Sequence, residues 1–199
     1  MARAWSDQEC KHLQKRLLDE AQALFERLGL QKTTVDDIVR AVGISKGAFY
    51  RFYGSKEELF FDVLERVETQ VRTDLSSFAW DRGVPSVANL RRFFTQVADL
   101  TARVPFFKAL NGVERLHLET RLPPETVVRH QADDEQVVIR LFQSWAEAGK
   151  IRTVDWSALT LVIQEFVLVL TRRPMRGRTP EVDLWIEMLS RLLAPAGEG

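Results

Sequence analysis

The run Thr34-Val-Asp-Asp-Ile-Val-Arg-Ala-Val-Gly43-Ile-Ser45-Lys-Gly47-Ala-Phe-Tyr50-Arg-Phe-Tyr-Gly-Ser55-Lys56 decides the fold of this chain. Thr34 caps a short helix whose inner side carries Val35, Ile38, Val39 and Val42. Gly43 stands where a left-handed C-terminal residue belongs. Ser45 caps the next helix, with Phe49, Phe52 and Tyr53 as its buried side, and Gly54-Ser55-Lys56-Glu57-Glu58 breaks and caps again. Two short helices, a glycine turn and a third helix start in so few residues are the spacing of a helix-turn-helix. In such a unit one helix crosses the DNA backbone and braces a second in the major groove.

Working outward, Ser6-Asp-Gln-Glu9 has the form of a capping box, and Leu13, Leu17, Leu18, Ala21, Leu24, Phe25 and Leu28 recur at helical spacing until Gly29. A long amphipathic helix over 7–28 follows from this pattern. After Ser55, Leu59, Phe60, Val63, Leu64, Val67 and Val71 mark another long helix ending near Trp80. Ser86–Arg103 reads as a helix, and Pro105 restarts a shorter one through about Glu119. Pro123-Pro124 opens a long helix to Gly149, and Asp155 caps one running through Leu170. A last helix covers Glu181–Leu193. The reading is all-α: an N-terminal three-helix DNA-binding domain over 1–54, then a larger helical effector-binding and dimerisation domain over 55–199. The β-branched residues of 161–170 also suit a strand, but length and flanking caps favour helix and no partner strand is in sight.

The chain carries 28 Lys and Arg against 28 Asp and Glu, so no global field draws it to nucleic acid or anionic lipid. The first 54 residues hold nine basic and seven acidic side chains, a net of 9 − 7 = +2. Attraction to DNA therefore has to be local, through such residues as Arg3, Lys11, Lys15, Arg16, Lys46 and Arg51. The lone Cys10 makes no internal disulfide, no apolar run is long enough to span a bilayer, and the N-terminus is too charged for a secretory signal. A cytoplasmic protein is expected.

The reading helix has to approach base edges closely, and Ser45-Lys46-Gly47-Ala48 offers a surface without bulk. Tyr50 and Lys56 are suited to donate to phosphates, Thr34 offers its hydroxyl and its helix N-terminal amides, and Arg51 has the reach for a phosphate or a guanine edge. The other reading is a small helical subdomain whose Gly and Ser merely cap helices. Catalytic and metal patterns are missing from the sequence. Cys10 and His12 do not share a helix face, His117 and His130 have no zinc-type spacing, and there is no nucleophile elbow, P-loop or dinucleotide fingerprint. No enzyme activity, cofactor or metal site is expected.

These residues resemble the TetR family of bacterial transcriptional regulators. The match runs from Leu17 to Gly29, through Thr33–Ile38 and Gly43–Tyr50, to Gly54–Phe60, roughly the first third of the chain. Val39 and Val42 stand where the family often has alanine. Ala48 stands where a hydroxyl is common, and Phe52 and Tyr53 depart from the usual aromatics. The resemblance implies an all-helical homodimer that binds double-stranded DNA at a palindromic operator, represses, and lets go when a small molecule binds its C-terminal region.

Beyond Val71 no motif is recognisable. Phe106, Phe107, Asn111, His117, Phe142 and Trp145 are the candidate lining of an effector cavity, apolar with a few polar groups. Each is equally readable as core or solvated surface, as are His130 and Gln143. The helix over 158–170 is apolar on nearly every face and so must be buried all round. With 181–193 it is the candidate dimer interface, over 155–172 and 181–193; the alternative is a central core helix. Arg172, Arg173, Arg176 and Arg178 read as a solvated loop.

Overall fold

The computed structural model describes residues 5–110, 112–172 and 179–197 of the chain. Among the described residues ten helices follow one another: α1 (Asp7–Leu28), α2 (Val35–Val42), α3 (Lys46–Phe49), α4 (Lys56–Ser76), α5 (Ser86–Arg103), α6 (Pro105–Ala109), α7 (Gly112–Arg121), α8 (Pro124–Glu147), α9 (Trp156–Arg172) and α10 (Pro180–Leu193). No strand occurs among the described residues, so the apolar run after Ala158 is helix.

Caps read from the sequence are in place. Ser6 and Glu9 form a reciprocal capping box on α1, and Thr34 and Asp37 form a second on α2. The hydroxyls of Ser45 and Ser55 accept from the amides of Ala48 and Glu58 at 3.2 and 3.1 Å, closing the N-termini of α3 and α4. Asp155 accepts from the Ala158 amide at 3.0 Å at the start of α9. Gly43 ends α2 at φ 74°, ψ 40°, the left-handed geometry that turns the chain sharply into α3.

Several boundaries differ from expectation. α4 ends at Ser76, four residues short of Trp80, where the hydroxyls of Ser76 and Ser77 donate to the carbonyls of Thr73 and Asp74. The segment after Pro105 is two helices, α6 and α7, with Leu110 between them outside helical geometry at φ −94°, ψ 59°. The last helix begins one residue early, because Thr179 caps it and Pro180 occupies its first turn, where a missing N–H costs nothing.

Apolar burial falls into two cores. The first joins α1–α3 to the early turns of α4 through Leu17, Phe25, Leu30, Ile38, Phe49, Leu59 and Phe60. It also draws in Phe106, Leu110, Leu118 and Leu122 from α6, α7 and the turn that follows. The Phe60 ring lies 4.9 Å from Phe25 and 4.7 Å from Phe106, so α4 is the wall that the head and the C-terminal region share. The cores therefore do not part at residue 54. The second core joins α5, α8, α9 and α10, with Phe93, Phe94, Phe142, Phe166 and Ile186 at its centre.

Candidate nucleic-acid interface and the helix that carries it

Around the tight turn at Gly43, the residues Ser45, Lys46, Gly47, Tyr50 and Arg51 are all exposed, Tyr50 by 55% although it is aromatic. Gly47 sits in ordinary helical backbone, and the nearest atom to an added Cβ there is the Ser45 hydroxyl oxygen at 3.9 Å. The fold itself therefore does not require glycine at this position. Ala48 departs from the expected surface: its methyl is buried, on the inward side of the helix with Phe49, and only its neighbours face outward.

Arg51 stacks its guanidinium 4.8 Å from the centre of the Trp5 ring, and the other partner of Trp5 is Phe52, with ring centres 5.7 Å apart. The chain before α1 is thereby held against the residues that follow α3. This packing accounts for the partial burial of Phe52, and the sequence signal for it is only the lone aromatic ahead of the Ser6 cap.

Two of the expected phosphate donors are engaged within the chain. Thr34 Oγ1 donates to Asp37 Oδ2 at 2.6 Å, and the Thr34 amide donates to the same oxygen at 3.1 Å. The α2 N-terminus is thus already occupied by the chain's own carboxylate, and the two Thr34 hydrogen bonds hold the Asp37 carboxyl below its ordinary range. Lys56 turns inward rather than outward. Its ammonium donates to the carbonyls of Leu30, Gln31 and Thr33 at 2.8, 3.1 and 2.8 Å, using all three of its N–H groups. Lys46 pairs with Asp36 at 2.9 Å, both well exposed, and that hydrogen bond raises the Lys46 ammonium above its usual range. An exposed pair of this kind contributes little to stability, so it yields readily to a stronger anion.

Further contacts fix α4 against the head. Arg66 reaches Asp19, the Leu18 carbonyl and Gln22 on α1 at 2.7, 3.1 and 2.5 Å. Arg16 donates to the Val42 carbonyl at 2.6 Å, holding the end of α2. Tyr53 donates to Asp62 at 3.0 Å, and burial first, then the Asp62 charge, pushes its phenol up.

The residues expected to line an effector cavity do not come together. Phe106 is fully buried in the first core, with Phe107 at its margin. His117 lies 3.0 Å from Glu57 at the start of α4, tying α7 to the first turn of that helix. Phe142 and Trp145 belong to the second core, 5.3 Å apart between ring centres. Asn111 lies outside the described residues, as do Arg3 and the loop carrying Arg173, Arg176 and Arg178. A groove of about 450 Å³ runs instead between α1 and α4, lined by Leu18, Asp62, Glu65, Arg66 and Thr69 among others.

One polar cluster escaped the sequence reading altogether. His130 and Asp134 on α8 face Glu68 on α4, with His130 Nε2 at 3.3 Å from Glu68 Oε2 and 3.5 Å from Asp134 Oδ2. Burial first, then the Asp134 charge, raises the Glu68 carboxyl to about 8, against the pull of Arg72 and Arg115. Only the i, i+4 pair His130 and Asp134 is visible in sequence; the third member is 62 residues away, on another helix.

The N-terminal segment 17–63 matches the family model described as bacterial regulatory proteins, TetR family. The chain is 25% identical over 203 aligned residues to the HTH-type transcriptional repressor DhaR of Mycobacterium sp. strain GP1, covering 94% of each chain. It is 32% identical over 64 residues to the HTH-type transcriptional regulator AcrR of Shigella flexneri, covering 32% of this chain and 30% of that one. In fold it is similar to a TetR-family transcriptional regulator from Pectobacterium atrosepticum, with a TM-score of 0.69, 18% identity, and 94% and 95% of the two chains covered. A tight helix-turn-helix head on a helical body is the build of a DNA-binding transcriptional regulator. Residues 17–63 carry the TetR-family match, and the chain as a whole is similar in fold to regulators of that family.

Two outcomes follow for the residues of α4. Lys56→Met keeps the aliphatic stem but strands three carbonyls. It should lower stability by about 1–3 kcal/mol in urea unfolding, and a stability equal to wild type would show the ammonium to be free rather than seated. For Glu68, the folded pKa of about 8 exceeds the ordinary 4.5, so its protonated form supports the fold at low pH and that support fades as pH climbs toward 8. In chelator-containing buffer, Glu68→Gln should match wild type near pH 5 and be the more stable protein near pH 8.5. An advantage independent of pH would contradict this.

Proposed function

We propose that the protein is a homodimeric repressor that reads a palindromic operator with α3 and lets go when a small molecule binds its C-terminal helices. The observation that carries the reading is the exposed face of Ser45, Lys46, Gly47, Tyr50 and Arg51 beyond a tight turn, with Gly47 bare although the fold has room for a side chain. Ser45 and Gly47 permit close approach of the backbone to base edges. Lys46 and Arg51 supply charge, and Tyr50 supplies a phenol for a phosphate. In this reading Lys56 and Thr34 act from behind, by setting the α1–α2 turn and the α2 N-terminus that brace α3.

Dimerisation is supported by α9 and α10. Leu161, Leu184 and Met188 are 65%, 60% and 52% exposed, an apolar face that a two-fold partner would cover with its own copy as a four-helix bundle. Two-fold symmetry then sets the reading helices about 34–36 Å apart, one turn of DNA. The effector is proposed to act on the aromatic layer of Phe142 and Trp145, with Phe106, Phe107 and His117 relaying its effect to α4. Repression is favoured because the relative DhaR is by name a repressor. No helix among the described residues is long and apolar enough to cross a membrane, and a cytoplasmic site of action fits operator binding.

Gly47→Leu should fold normally and lose specific operator binding by at least about a hundredfold in fluorescence anisotropy, the scale of one or two lost base readouts. Retained affinity would remove α3 from the groove. Light scattering at micromolar concentration should give twice the chain mass for wild type and the chain mass for Leu184→Glu combined with Met188→Glu. A wild-type monomer would end the case for a palindrome.

A further inference from the structure

Glu68, His130 and Asp134 each turn one ligand-capable atom to a common point, all within 4.8 Å of one another. The two edges from His130 Nε2, 3.3 Å to Glu68 and 3.5 Å to Asp134, match the spacing of ligands around a tetrahedral ion, where bonds of about 2.0–2.2 Å place donors about 3.3–3.6 Å apart. Glu68 Oε2 is shut off from solvent and accepts no hydrogen bond, although it points straight into the cluster. His130 has one Nε2 proton at most and cannot satisfy both carboxylates that flank that nitrogen. A buried carboxyl oxygen without a hydrogen-bond partner is costly, and a cation at the common point removes the cost.

The surroundings are those that hold metal ligands in position. Arg72 donates to Asp134 Oδ1 at 2.5 Å, which leaves Oδ2 toward His130. Glu65 Oε1 lies 3.8 Å from His130 Nδ1, on the side where a metal-bound imidazole keeps an outer carboxylate. The Phe61 ring packs edge-on against the imidazole, 5.0 Å between centres, and fixes its tilt. Glu65, Glu68 and Asp134 face Arg72 and, at longer range from α7, Arg115, so the acidic groups outnumber the basic ones once Glu68 gives up its proton to a bound cation.

We propose that Glu68, His130 and Asp134 form a site for a first-row divalent cation of the Zn²⁺ type, with a fourth position open to water or an exogenous ligand. One imidazole with two carboxylates and no thiol favours Zn²⁺, Co²⁺ or Mn²⁺ over soft ions such as Cu⁺. The ion bridges the middle of α4 to α8, and α4 is the helix whose first turns are built into the head. The site stands on its own chemistry, whether or not the protein binds an operator.

The test uses the full-length protein, stripped with chelator and titrated with Co²⁺ while visible absorption is followed. A tetrahedral Co²⁺ band saturating at one ion per chain is expected, bleached by an equivalent of Zn²⁺. Glu68→Gln and His130→Gln should each abolish the band, and Glu65→Gln should weaken binding about 10–100-fold, as loss of an outer carboxylate does. Circular dichroism in chelator checks that each variant is folded; Glu68→Gln replaces a buried carboxyl with a neutral amide of the same shape and should remain so. A control carrying both Cys10→Ser and His12→Ala should keep the band. Absence of a saturable band, a band that survives Glu68→Gln, or one lost in the control overturns the proposal.

Discussion

The geometry of the head depends on one ammonium group. Lys56 Nζ gathers the carbonyls of Leu30, Gln31 and Thr33, so the turn between α1 and α2 is closed by a residue that belongs to the first position of α4. Carbonyls left at such a turn have no helical partner and would otherwise need water. Because the same residue starts α4, the position of the turn and the direction of α4 are set together. Arg66 then repeats the arrangement two to three turns later, with its guanidinium on α1. The head and α4 therefore behave as one body, and any force that turns α4 also turns the brace behind α3.

Local grammar made the helices legible. Caps at Ser6, Thr34, Ser45, Ser55 and Asp155 are short-range hydrogen bonds between residues three apart, which sequence spacing encodes directly. What was not legible needed distance in the chain. The inward turn of Lys56 depends on carbonyls 23 to 26 residues away, and the meeting of Glu68 with His130 depends on how α8 packs on α4. The burial of Ala48 turns on the rotation of a helix only four residues long, too short for periodicity to fix its face. Aromatic spacing placed Phe106 and Phe142 alike as lining residues. The chain puts them in different cores because α6 packs on α1 and reaches Phe60 of α4, while α8 packs on α9.

Charge balance takes on a local meaning. The N-terminal turn of α2 carries Asp36 and Asp37, one pairing with Lys46 and the other closing its own helix. These carboxylates lie beside the surface proposed to meet DNA, where they oppose phosphates at close range. Such opposition weakens attachment to arbitrary sequence more than attachment to a site where base contacts compensate. A head with a net charge of only +2 is thus compatible with selectivity bought by weak general attraction.

The room around Gly47 separates two demands that usually coincide. In most helices a conserved-looking glycine marks backbone crowding, and replacing it harms folding. Here a methyl group meets nothing closer than 3.9 Å, and alanine in a helix is favoured over glycine by about 0.5–1 kcal/mol. Selection or engineering for heat resistance alone would therefore drift toward alanine at this position, gaining stability while the surface proposed to meet DNA becomes one methyl thicker. A thermostable variant of this chain could look flawless by every folding measure and be deaf to its own target.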